Sequence, residues 1–132
     1  MGRAFFDTNV LLYLLSEDGP KADRAEAVMG GGGVISVQVL NEFASVATRK
    51  LRMTYPEVRD VLAPLRELCA VEPVTSQIHD LGLTVAERFG FSLYDALIIA
   101  SALFAGCNTL YSEDFQDGQR IDDRLVIRNP FR

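Results

Sequence analysis

The chain has 132 residues, 48% of them hydrophobic and 23% charged, with a net charge of −5. This is a globular balance, which excludes disorder as the main state, and the length suits one domain over residues 1–132 that buries roughly two-thirds of its surface. The acidic balance excludes a generic basic nucleic-acid coat but not a nuclease whose site is itself made of carboxylates.

Ala4-Phe5-Phe6 reads as a buried strand, and Val10 to Leu15 as a short helix. Pro20 to Met29 reads as a second helix with proline in its first turn. Gly30 to Gly33 lacks the Lys-Ser or Lys-Thr that a phosphate-cradling loop needs, so it reads as a helix-to-strand turn. Val34-Ile35-Ser36 is a second strand, and Val37, Leu40, Phe43, Ala44 and Ala47 mark one face of the helix after it. Thr54 with Glu57 forms a capping box ahead of the stripe Val58, Val61, Leu62, Leu65. Ala70 to Val74 is a third strand interrupted by Pro73, followed by a helix with Ile78, Leu81, Val85 and Ala86 on one face. Ser92 opens the most apolar helix, Leu93 to Ala105, which is expected at the centre. Thr109-Leu110-Tyr111 and Leu125-Val126-Ile127 complete five strands.

Strands separated by helices predict an α/β three-layer sandwich with a central, mainly parallel five-stranded sheet flanked by helices. The longest nearly apolar run, Ala96 to Gly106, is too short to span a bilayer, and Asp7 comes too early for a signal peptide. A cytoplasmic protein without membrane association is expected. Cys69 and Cys107 have no CxxC spacing and read as small buried hydrophobes.

In a parallel sheet, ligands bind beyond the carboxyl ends of the strands. Asp7 follows the first strand, Glu42 lies early in the helix after the second, Asp95 lies in the first turn of the helix from Ser92, and Asp114 follows the fourth strand. Each has a plainer reading. Asp7 could cap a helix, Glu42 could face solvent, Asp95 could complete a capping box with Ser92, and Asp114 could be a turn acid. Asp7 follows two phenylalanines, and Asp95 sits among Phe91, Leu93, Tyr94 and Ala96-Leu97-Ile98, settings in which a lone carboxylate is costly. Four carboxylates at one edge would repel one another, and a hard divalent cation, Mg²⁺ or Mn²⁺ rather than Zn²⁺, is the natural compensation. The only histidine, His79, reads as a surface or boundary residue away from these acids. Such a site suits phosphoryl chemistry.

The stretch Asp7-Thr8-Asn9-Val10-Leu11 resembles the opening of a PIN domain, and Ser36 with Glu42 resembles its second motif. Tyr94-Asp95-Ala96-Leu97-Ile98 resembles the third, and Tyr111-Ser112-Glu113-Asp114-Phe115 the fourth. The length matches the small VapC-type toxins of type II toxin–antitoxin pairs. The resemblance implies a Mg²⁺- or Mn²⁺-dependent endoribonuclease, a homodimer, and a cognate antitoxin whose tail covers the site. It makes Asp7 and Asp95 the principal metal ligands, with Glu42 and Asp114 acting through water or a second metal, and Asn9 and Ser112 as supporting polar residues. Glu113 adds negative charge where basic or neutral residues are common in the family, and Asp117 reads as a turn acid rather than a further ligand.

Arg49, Lys50 and Arg52 are candidate RNA contacts, or simply favourable charge at a helix C-terminus. Arg120 and Arg124 are expected to pair with Asp122 and Asp123. The alternatives are a PIN-like module that binds RNA or protein without cutting, or another Mg²⁺-dependent phosphoryl hydrolase. A haloacid-dehalogenase phosphatase would need an acid where Asn9 stands. Both it and a receiver-type phospho-switch would need a late lysine, and the lysines are Lys21 and Lys50.

Overall fold

The computed structural model describes residues 3–132. Its sheet begins with β1 (Ala4–Phe6), β2 (Gly33–Ser36), β3 (Cys69–Glu72) and β4 (Thr109–Tyr111), and ends with β5 (Arg120–Ile121) and β6 (Leu125–Arg128). The spatial order is β3-β2-β1-β4-β6-β5. Every pairing is parallel except β5 with β6. The α/β architecture is as the sequence predicts, but the sheet has six strands, not five. The extra strand, β5, is only two residues long and gives no periodic signal. It folds back on β6 through Asp122 and Asp123, both with left-handed φ, a conformation aspartate tolerates better than most residues.

The helices are α1 (Thr8–Tyr13), α2 (Gly19–Met29), α3 (Val37–Arg49), α4 (Tyr55–Leu68), α5 (Ser76–Phe89) and α6 (Leu93–Phe104). Their starts follow local chemistry. Asp7, Asp18, Ser36, Thr54, Thr75 and Ser92 each cap a helix N-terminus through a side-chain oxygen, and Thr54 and Glu57 form the reciprocal box. Helix α6 is central, with all eight residues from Ala96 to Leu103 buried.

Phe5, Phe6, Val34, Ile35 and Leu110 are fully buried, as expected for a sheet covered on both faces. The Phe6 and Tyr111 rings stack at 5.9 Å across the β1–β4 pair. Gly33 allows β2 to lie against β1: a Cβ there would sit 2.5 Å from the Ala4 carbonyl oxygen and 2.6 Å from the Phe6 ring. Cys69 and Cys107 are buried free thiols, and burial pushes Cys107 up to about 11. His79 is exposed.

The outer pairing differs from expectation. Asp122 binds Arg88 on α5 at 2.8 Å, rather than Arg120 or Arg124. Among the described residues, no helix is long and apolar enough to cross a membrane.

This topology sets the place of the site. Chain order runs outward from β1 in both directions, to β2 and β3 on one side and to β4 and β6 on the other. The β1–β4 boundary is therefore the switch point where connections leave to opposite faces and open a crevice at the carboxyl ends. Asp7 leaves β1 and Ser112 leaves β4 at that crevice, tied by a bond from the Asp7 amide to the Tyr111 carbonyl at 3.0 Å.

Candidate active site

Asp7, Glu42, Asp95 and Asp114 line one cavity of about 370 Å³, together with Thr8, Asn9, Ser45 and Arg49. Four separate segments supply the acids. Asp7 follows β1, Glu42 lies on α3, Asp95 lies in the first turn of α6, and Asp114 follows β4. Among the described residues, no group of three or more acidic, His or Cys side chains forms a ready-made metal cluster. The carboxylates share the cavity without a preformed coordination shell.

Asp7 is the most constrained. It is 4% exposed and caps α1, accepting a hydrogen bond from the Thr8 amide at 2.7 Å. Its other oxygen accepts from the Ser112 hydroxyl at 2.7 Å. Burial pushes its carboxyl up to about 7. The bonds from Ser112 and Thr8 oppose that rise, and the neighbouring Asp114 and Glu42 charges add to it.

Ser112 is fully buried, and its hydroxyl uses all its capacity. It donates to Asp7 and accepts from the Asn9 side-chain amide at 3.2 Å and the Asp114 backbone amide at 3.1 Å. The Asn9 Nδ2 also donates to Asp114 Oδ2 at 3.0 Å, while Asn9 Oδ1 accepts from the Glu113 amide at 3.3 Å. Asp7, Asn9, Ser112 and Asp114 thus form one wired half of the cavity.

Glu42 and Asp95 form the other half. Glu42 is half-buried rather than solvated, and accepts from the Thr8 hydroxyl at 2.6 Å and from the Gln38 amide at 3.4 Å. Ser92 caps α6 by accepting from the Asp95 backbone amide at 3.4 Å, so the half-buried Asp95 helps the cap through its backbone while also lining the cavity. Thr8 and Gln38 carry the Glu42 contacts, and sequence reasoning did not single out either. Gln38 lies one helical turn before Glu42, a spacing that could have flagged it. The Thr8–Glu42 contact joins elements 34 positions apart and has no local signal.

The basic candidates separate. Arg49 lines the acidic cavity from the last turn of α3. Lys50 borders a neighbouring, more apolar cavity with Leu12, Tyr13, Leu51 and Glu113. Arg52 is exposed and borders neither. Glu113 turns away from the four acids, with both its oxygens accepting from the Tyr13 hydroxyl at 2.9 Å. Asp117 also lies off the cavity and accepts from the Asn129 amide at 2.8 Å.

The donor set suits a hard cation. It is made of oxygens, His79 is outside it, and the one ion pair among the described residues, Arg88–Asp122, lies elsewhere. A buried carboxylate beside two like charges needs a proton or a cation, and a divalent ion meets that need at neutral pH.

Solved structures share this fold. A toxin–antitoxin complex from Klebsiella pneumoniae is 20% identical with a TM-score of 0.74, covering 96% of this chain and 97% of that one. VapC20 of Mycobacterium tuberculosis, described as a sarcin–ricin loop cleaving toxin, is 19% identical with a TM-score of 0.68, covering 84% and 89%. VapBC2 from Rickettsia felis, bound to a DNA fragment from their promoter, is 18% identical with a TM-score of 0.67, covering 96% and 97%. At these identities the likeness establishes a common fold. No curated protein is similar enough in sequence to count as a match. The family model for the PIN domain matches residues 4–121, and the chain belongs to the PIN domain family.

Proposed function

We propose that residues 1–132 act as a single divalent-metal-dependent endoribonuclease domain, using Mg²⁺ or Mn²⁺, and that the protein is the toxin of a toxin–antitoxin pair. One observation carries this reading. Carboxylates from four separated segments line one cavity at the switch point of a parallel sheet, and none has an ion-pair partner among the described residues. Membership of the PIN family and the toxin neighbours support RNA as the substrate and an antitoxin as the partner.

In this reading Asp7 and Asp95 hold the cation, with Glu42 and Asp114 completing the set through water or a second ion. When bound, the cation lowers the pKa of a water and neutralises charge on the phosphodiester. The chain's own groups do the positioning. Ser112 and Asn9 fix Asp7 and Asp114, Thr8 and Gln38 fix Glu42, and Arg49 offers a planar guanidinium to a phosphate at the rim. A water oxygen would attack phosphorus as the P–O bond to the departing ribose oxygen breaks, the water's proton passing to a cavity carboxylate and a solvent proton completing the ribose hydroxyl. Homodimerisation, a cognate antitoxin and a cytoplasmic setting belong to the same proposal.

The test is incubation of RNA with the purified protein in Mg²⁺ or Mn²⁺, with EDTA, and with Asp7→Asn. Cleavage in the first condition alone supports the reading. Cleavage that survives both EDTA and Asp7→Asn refutes it, as does RNA binding without cleavage in either metal.

A further inference from the structure

Nothing in the family motifs marks Gln38, yet its side chain joins the two elements that carry Glu42 and Asp95. It is the second residue of α3 and half-buried. Its Nε2 carries two hydrogens and meets two acceptors. One is Glu42 Oε2, one turn along the same helix, at 3.4 Å. The other is the backbone carbonyl of Tyr94 at 3.1 Å, 56 positions away and immediately before Asp95.

The two halves of the cavity are held in different ways. Side-chain bonds through Ser112 and Asn9 tie Asp7 to Asp114 directly. Among the described residues Glu42 and Asp95 have no such shared partner, and the Gln38 amide is a polar link between their elements. Thr8 holds the opposite oxygen of Glu42 and connects that residue back to the Asp7 half. Glu42 is therefore held from two sides, by Thr8 at the start of α1 and by Gln38 on its own helix, and the same Gln38 amide reaches the Tyr94 carbonyl at the entry to α6.

We propose that Gln38 is a positioning residue, setting the spacing between Glu42 and Asp95 and so the affinity of the cavity for a divalent cation. This rests on the reading of the cavity as a metal site. Groups that orient metal-binding carboxylates typically change metal affinity by 10- to 100-fold when removed. The Tyr94 carbonyl also tethers α6 at its first turn, where Asp95 would otherwise follow any fraying of the helix end. A purely architectural Gln38 would alter stability and leave ion binding untouched.

The experiment compares Gln38→Met, which keeps the length of the side chain and removes its donors, with the parent and with Gln38→Ala. Mn²⁺ binding is read by water-proton relaxation enhancement, folding by thermal melts in EDTA, and RNA cleavage across a Mn²⁺ series. Both variants are expected to melt within a few degrees of the parent and to bind Mn²⁺ about tenfold more weakly. Their cleavage rate should return toward the parent's at high Mn²⁺, with KM for RNA unchanged. A Mn²⁺ affinity within twofold of the parent in both folded variants overturns the role of Gln38 while leaving the metal site intact. A parent protein that binds no Mn²⁺ overturns the metal site and this role with it.

Discussion

Asp7 combines burial, two hydrogen bonds and two acidic neighbours, and this gives the metal-free protein a pH signature. Its carboxyl titrates at about 7 when folded against 3.8 as an isolated group. The folded state therefore binds the proton more tightly. The resulting stability is fully present below about pH 4 and is lost as pH rises through about 7. In EDTA the protein should lose up to about 4 kcal/mol between pH 4 and pH 8 from this residue. Asp7→Asn should flatten that slope, and urea unfolding at a series of pH values measures both. Ser112→Ala removes the donor to Asp7 and the acceptor for Asn9 and Asp114, and should cost about 1–3 kcal/mol in denaturant unfolding. Residue types and spacing made these acids visible in the sequence. The Ser112 hydroxyl network joins residues more than a hundred positions apart, and only the β1–β4 pairing explains it.

The helices and longer strands were legible because each has a local cause. The capping box at Thr54 and the apolar run of α6 are read directly from the letters. β5 was missed because a two-residue antiparallel strand depends on β6 and a left-handed turn rather than on its own pattern. Two element-scale predictions follow from packing. Gly33→Ala forces a methyl onto the Ala4 carbonyl and the Phe6 ring, and should destabilise by about 1–3 kcal/mol in thermal or urea unfolding. Ser101, within α6, buries a hydroxyl with no hydrogen-bond partner among the described residues. Ser101→Ala should therefore be neutral or raise stability by about 1 kcal/mol, because alanine also favours the helix. A loss above about 1 kcal/mol in the same assay would show that the hydroxyl has a partner.

At the scale of the molecule, the sheet order matters more than any single motif. Sequence reading supplied alternating strands and helices, but it could not give the order β3-β2-β1-β4-β6-β5, because register is a tertiary property. That order places the ends of β1 and β4 side by side and turns the starts of α3 and α6 toward them, which gathers the four acids. In the proposed reading it also couples cation binding to folding. At about 100 times its Kd, Mn²⁺ should add roughly 2.7 kcal/mol to unfolding stability, and Asp7→Asn should remove most of that gain.

The most direct measurement locates Mn²⁺ in crystals of the protein by its anomalous scattering. The account predicts density inside the cavity bounded by Asp7, Glu42, Asp95 and Asp114, with Asp7 and Asp95 within coordination distance. An empty cavity at saturating Mn²⁺, or an ion bound only elsewhere on the surface, would contradict it.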